Sequence, residues 1–199
     1  MTRQADPAKK PALLEQIVDY LIDKPLSALT FRGLASALGV SSFTLVYHFG
    51  TRDELVHEII ESIATRQRGF ETVFDPDTVT LDTYFAGLRQ TFELSLFPRN
   101  LALQRLEFEA LMLEAVAPDA AVTRTVHASL HARAQYTLIA LGLESDDAAV
   151  EGQLLLDTFY GIQVGLVVSG DIERATAAFD RALQYHRERI TPLVTALSR

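Results

Sequence analysis

Residues 29–55 read LTFRGLASALGVSSFTLVYHFGTRDEL, and this stretch decides the fold. Its first segment, residues 30–38, places Phe31, Leu34, Ala35 and Leu38 at helical spacing behind Thr30, whose hydroxyl suits an N-cap. Gly39 ends that pattern, because glycine takes the left-handed backbone of a sharp turn at little steric cost. Val40 supplies one apolar anchor, and Ser41 or Ser42 caps the next segment, residues 42–49. There Leu45 and Phe49, four apart, face inward, which turns Ser42, Phe43, Thr44, Tyr47 and His48 outward. After Gly50, Thr51-Arg52-Asp53-Glu54 forms a capping box that opens a third helix. Two short helices, a tight turn and an outward face of short polar and aromatic groups make a helix-turn-helix, a shape that lays one helix in a DNA groove. Arg52 falls in the first turn of the third helix, where the helix dipole opposes a cation, so an anion is expected beside it.

Upstream of this motif, Leu13, Leu14, Ile17, Val18 and Leu21 form the apolar stripe of a supporting helix over residues 12–21, ended by Lys24-Pro25, with residues 25–29 as the connecting loop. Downstream, the helix opened at Arg52 carries Leu55, Val56, Ile59, Ile60 and Ile63 to about Arg68-Gly69. A loop at residues 74–77 follows. Thr80 caps a helix with Leu81, Phe85, Leu88 and Phe92 that Pro98 ends. Residues 100–116 are apolar on two faces, one of Leu103, Leu106 and Ala110 and one of Leu101, Phe108, Met112 and Ala115, which predicts a helix inside the protein. After a break at residues 117–119, Val122, Val126, Leu130, Ala134, Leu138 and Leu141 form a stripe running to Gly142. The last two helices span residues 146–169 and 172–197, with Phe179, Leu183, His186, Ile190 and Leu197 in line. No sustained alternation or hairpin turn suggests a strand. The expectation is an all-α chain of about nine helices, with a helix-turn-helix domain at residues 1–51 and a helical effector-binding and dimerisation domain at residues 52–199.

Composition sets further bounds. The chain has 199 residues, 48% of them hydrophobic, so it can bury a sizeable core. It has no Cys, which excludes disulfides and thiolate metal sites and fits a reducing cytoplasm. The polar start MTRQADPAKKP lacks the apolar centre of a signal peptide, and no apolar run is long enough for a membrane span, so a cytoplasmic protein is expected. The net charge of −8 argues against a nucleic-acid binder until the chain is divided. Residues 1–55 hold six Lys/Arg and six Asp/Glu, so the whole surplus falls beyond them. Arg3, Lys9, Lys10, Arg32 and Arg52 can then gather on one side of the head, and the first residues can serve as a minor-groove arm or as a solvated tail.

Thr30, Leu34-Ala35, Leu38-Gly39-Val40-Ser41, Tyr47, His48-Phe49, Arg52 and Leu55 resemble the DNA-binding motif of the tetracycline-repressor (TetR) family of dimeric transcription regulators. The chain departs from that pattern at Val46-Tyr47 and at Phe43. The resemblance, with the outward face, gives the DNA contacts: Thr30, Tyr47, His48 and Arg52 toward phosphates, Ser42, Phe43 and Thr44 toward bases, and Arg32 and Ser41 beside them. It implies a homodimer on a palindromic double-stranded operator, a repressor released by a small, largely apolar effector. It also implies an effector pocket in the second domain, for which Phe85, Arg89, Phe92, Phe108, Met112, His127, Tyr136, Phe159 and Gln163 are the candidates. Gly161 and Gly165 clear a stripe for a close helix approach, either within the chain or between copies. The resemblance favours a seam between copies, with Phe179, Leu183, His186 and Ile190 as its other members.

Other chemistry is less well supported. His127 and His131, four apart, have metal-ligand spacing, but no third ligand is identifiable and Arg124 and Arg133 lie near, so no metal site is expected. No nucleophile elbow or Gly-rich phosphate loop occurs, so neither an enzyme nor a cofactor is expected. The alternatives are a helical small-molecule carrier with a vestigial head and, more remotely, a metal-dependent enzyme using the two histidines.

Overall fold

The computed structural model describes the backbone of residues 8–70, 74–116 and 121–197, and their side chains except those of 64–70 and 195–197. Arg3 of the basic tail, and the break expected at 117–119, lie outside the described residues. The order is α1 (Lys9–Leu21), a single 3-10 turn (Leu26–Ala28), α2 (Phe31–Leu38), α3 (Ser42–Phe49), α4 (Arg52–Phe70), α5 (Leu81–Ser95), α6 (Pro98–Ala115), α7 (Ala121–Ala140), α8 (Ser145–Ser169) and α9 (Ile172–Leu197). The described residues are all-α, with nine α-helices and no strand, as the periodicity predicts.

Two compact units emerge. The first comprises the chain up to Arg66 together with Ala102–Thr123, and the second comprises Gln67–Leu101 and the chain from Arg124 onward. In the first, α1 buries Leu13, Ile17, Val18 and Leu21, α2 buries Leu34 and Ala35, α3 buries Leu45 and Phe49, and α4 buries Leu55, Val56, Ile59, Ile60 and Ile63. In the second, Tyr84, Phe85, Phe92, Leu138, Leu141, Leu143, Leu166, Phe179, Leu183 and Ile190 form one core. Its centre is aromatic: Phe92 stacks on Phe179 at 4.0 Å with planes 3° apart, and Phe159 stands edge-on to both.

The structure corrects several expectations. Residues 25–29 are not a plain loop but hold the 3-10 turn, whose Leu26 and Leu29 are buried. Pro98 begins α6, where a missing N–H costs nothing, while α5 has already ended at Ser95. Helix α6 does not bury two apolar faces. Its buried residues are Gln104, Leu106, Glu107, Ala110 and Glu114, while Met112 is 67% exposed. A hydrophobic count missed this because a carboxylate can be buried when it is hydrogen-bonded, as Glu114 is to the start of α7. Along α7 only Leu138 is fully buried, and the earlier stripe residues Val122, Val126, Leu130 and Ala134 are half-buried. Phe179, Leu183 and Ile190 belong to the core of their own unit, and His186 is buried beside them. The close helix approach inside the chain is at Gly152, where an added Cβ would meet Ala134 Cβ at 3.3 Å. Gly161 and Gly165 face open space.

Candidate nucleic-acid interface

The head is assembled from local bonds. Thr30 Oγ1 accepts from Gly33 N at 3.1 Å and opens α2. Gly39 closes it at φ 65°, with Val40 N donating to Ala35 O at 3.1 Å, a Schellman-type closure that leaves no room for a longer helix. Ser41 Oγ accepts from Thr44 N at 3.0 Å and lies 2.8 Å from Thr44 Oγ1, so the hydroxyl of reader candidate Thr44 is bound to that of Ser41 at the start of α3. Gly50 ends α3 at φ 65°, ψ −115°, and Gly50 N donates to Val46 O at 2.8 Å. The capping box is complete: Thr51 N donates to Glu54 Oε2 at 2.6 Å and Glu54 N to Thr51 Oγ1 at 3.2 Å. These bonds from Thr51, the backbone one first, hold the Glu54 carboxyl below its ordinary pKa.

These caps fix what α3 presents. Leu45 is fully buried and Phe49 nearly so, while Phe43 is 77% and Tyr47 65% exposed. Ser42 is exposed, and Thr44 and His48 are half-buried, with the His48 ring 5.1 Å from Tyr47, edge to face. Large rings held in water on a helix with a fully buried opposite face are suited to contact with another molecule. An apolar ring can meet a thymine methyl, and a phenol can reach a phosphate.

The charge on this side is smaller than the residue list suggests. Lys10 is spent on Glu58 at 2.5 Å, and Lys24 on Asp23 at 2.9 Å. Arg52 has partners inside the protein: Nη2 donates to Leu26 O at 3.4 Å and Nη1 lies 3.9 Å from Asp53. The anion inferred from its place in the first turn of α4 is thus partly supplied by the chain. Lys9 and Arg32 are exposed and form no ion pair among the described residues.

The pattern of the sequence did not reveal how α6 enters this unit. Arg105 Nη2 donates to three carbonyls at the end of α1, Leu21 at 2.9 Å, Ile22 at 3.2 Å and Lys24 at 3.0 Å, and its Nη1 pairs with Glu109. Glu109 Oε2 in turn accepts from Leu26 N at 2.5 Å. Carbonyls that α1 leaves open at its C-terminus therefore receive a cation, the sign its dipole favours. Farther along α6, buried Glu114 accepts from Val122 N and Thr123 N and lies 3.7 Å from His57 of α4. An Arg and a Glu four apart were visible in the sequence, but not their partners some eighty residues away.

The effector candidates do not converge. Phe85 and Arg89 line a shallow groove between α5 and α9 with Leu183, Asp180 and Arg187. Arg89 there pairs with Asp180 at 2.7 Å, and Arg187 with Asp82 at 2.9 Å. Phe92 and Phe159 fill the aromatic core, and Gln163 is buried. Tyr136 is 61% exposed, His127 is exposed, and Phe108 and Met112 belong to the first unit. Beneath the groove, buried His186 bonds Tyr84 through Nε2 at 3.0 Å. Its pKa is pushed down to about 4, first by burial and then by Arg189. Glu151, 3.8 Å from His186 Nδ1, would favour the imidazolium, but its carboxylate is held by Arg189 at 2.5 Å and burial prevails.

Residues 13–59 match the family model for bacterial regulatory proteins of the tetR family. Solved structures share the fold over nearly the whole chain. A transcriptional regulator from Rhodococcus sp. Rha1 has a TM-score of 0.69 and 21% identity, covering 90% of this chain and 96% of that one. A TetR transcriptional regulator from Legionella pneumophila has a TM-score of 0.64 and 11% identity, covering 94% and 98%. The multidrug binding protein EbrR, complexed with imidazole, has a TM-score of 0.64 and 19% identity, covering 92% and 93%. No curated protein matches the sequence.

Proposed function

We propose that this chain, whose residues 13–59 carry the helix-turn-helix DNA-binding domain of the tetR family, is a ligand-responsive repressor that binds a palindromic operator as a homodimer. The observation that carries this reading is α3 itself. Leu45 and Phe49 are sunk in the head while Ser42, Phe43, Thr44, Tyr47 and His48 stay available on one side of a helix capped at both ends. Ser42, Phe43 and Thr44 read bases, and Thr30, Tyr47, His48 and Arg52 meet phosphates, with Arg32 and Ser41 beside them. With few unpaired cations, binding depends on geometry and on two heads acting together more than on bulk charge.

The second copy docks on α8. Val150, Leu154, Gly161, Val164, Gly165 and Val168 follow one another at helical spacing and all are exposed, Val168 at 82%. The two glycines let a partner helix come close. The effector is small and largely apolar, and it acts by shifting α4 and α6, which carry the head; the multidrug binding protein EbrR, complexed with imidazole, shares the fold. Arg105 and Glu109 transmit the α6 movement to the end of α1. Selection from random duplexes, repeated with a metabolite extract, tests the reading: a two-fold-symmetric site should be enriched and then lost with extract. Failure to enrich any duplex removes it.

A further inference from the structure

His127 and His131 stand one turn apart on α7, and the function proposed above makes no use of them. Their Nε2 atoms lie 3.0 Å apart, with ring centroids at 4.2 Å and planes at 48°. Two imidazole nitrogens each about 2.0–2.1 Å from one metal ion lie about 2.9 Å apart when the angle at the metal is 90°, and about 3.4 Å apart when it is tetrahedral. The observed separation falls near the right-angled value. We propose that His127 and His131 form a bidentate chelate for a late first-row divalent cation, Cu2+ or Ni2+, with water in the remaining positions.

Imidazole suits these ions, and their square or octahedral geometries offer adjacent positions at right angles. His127 is exposed and His131 half-buried, so an ion enters from solvent without opening the core. The nearby charges divide. Arg124, three residues before His127, opposes a cation. Arg133, two residues after His131, lies on another side of the helix. Asp157 of α8 favours positive charge at His131. No group of three or more His, Cys, Asp or Glu converges among the described residues, so the site is an open two-nitrogen chelate rather than a closed structural one. Metal binding replaces the Nε2–H···Nε2 hydrogen bond that joins the rings when neither is metallated.

The test is calorimetric titration of the untagged full chain with Cu2+ and with Ni2+, with Mg2+ as a control, followed by electron paramagnetic resonance of the Cu2+ form. One ion per chain is expected, with two-nitrogen hyperfine structure, affinity at least about tenfold weaker in both His127→Ala and His131→Ala, and no uptake of Mg2+. Both are surface positions, and unchanged far-ultraviolet circular dichroism verifies that the variants fold. No saturable uptake by the wild type, or wild-type affinity in either variant, overturns the proposal. It stands apart from DNA binding, because duplex retention plays no part in the measurement.

Discussion

Between Thr30 and Glu54 each helix end is closed by a residue near it in sequence: Thr30 and Gly39 around α2, Ser41 and Gly50 around α3, Thr51 and Glu54 at α4. The second unit is held differently. It too has local caps, Thr80 and Thr83 at α5, Gly170 at the end of α8 and Asp171 at the start of α9, but its core rests on side chains far apart in sequence: Phe92 on Phe179, Tyr84 on His186, Arg189 on Glu151. Helix α8 begins at Glu144 with no side-chain cap at all. Local caps fix the direction of a short helix, which a reading surface needs. Distant packing fixes a core but leaves its outline free to vary.

Substitutions can break this contrast, the largest effect coming from the packed unit. Phe92→Ala removes a ring that is 1% exposed and stacked, and should cost about 3–5 kcal/mol in urea unfolding. A loss below about 1 kcal/mol would mean the aromatic core is not what holds that unit. Acid should act on the same unit through His186. Its folded pKa, about 4, lies below the ordinary histidine value. Its contribution is therefore fully present above about pH 6.5 and fades as pH falls toward 4, on the order of 3 kcal/mol in all. Melting temperatures between pH 6.5 and 5, before the carboxylates titrate, should fall more steeply in the wild type than in His186→Gln.

In the head, Gly50→Ala should cost about 2–3 kcal/mol. A Cβ there meets a positive φ and would lie 2.1 Å from Glu54 Oε2, so the turn and the cap suffer together. Chemical denaturation measures it, and an unchanged midpoint would show that neither constraint matters. Arg105→Ala should cost about 1–3 kcal/mol by leaving the carbonyls of Ile22 and Lys24 without their donor and that of Leu21 with Lys24 N alone. Arg105→Lys should recover only part of that, since one ammonium cannot match the planar fork. Hydrogen exchange in residues 21–29 locates the effect. The smallest stability change, within about 0.5 kcal/mol, is expected for Phe43→Ala. The same variant should lose about tenfold or more in affinity for the selected duplex. Equal affinity would take Phe43 off the reading face.

The head was legible because its signals are short-range. A hydroxyl three residues before an open N–H, or a glycine at a left-handed turn, is a relation of neighbours, and Thr30, Gly39, Ser41, Thr51 and Glu54 all behave as their spacing implies. Val46 was harder to place: it is 47% exposed beside Tyr47 and gives α3 a broader apolar outer face than the small polar groups alone. On α6 the hydrophobic pattern misled, since Met112 faces solvent and Glu107 and Glu114 are buried. A carboxylate that satisfies backbone N–H groups on another helix can be buried where a thioether need not be, and nothing local records that partner. The face of α9 raises the same question. Phe179 and Ile190 are apolar toward whatever covers them, and periodicity cannot say whether the cover is the same chain or another.

By itself, then, the sequence determined the nine helices, the helix-turn-helix and the outward face of α3, because helical period, caps and left-handed glycines act within a few residues. Only the tertiary structure decided that Lys10 and Arg52 are already partnered, that α6 grips the end of α1 through Arg105, and that Phe92, Phe159 and Phe179 pack together in the core of the second unit. Those are pairings across tens of residues, settled by which groups need a hydrogen bond or shelter from water once the helices meet.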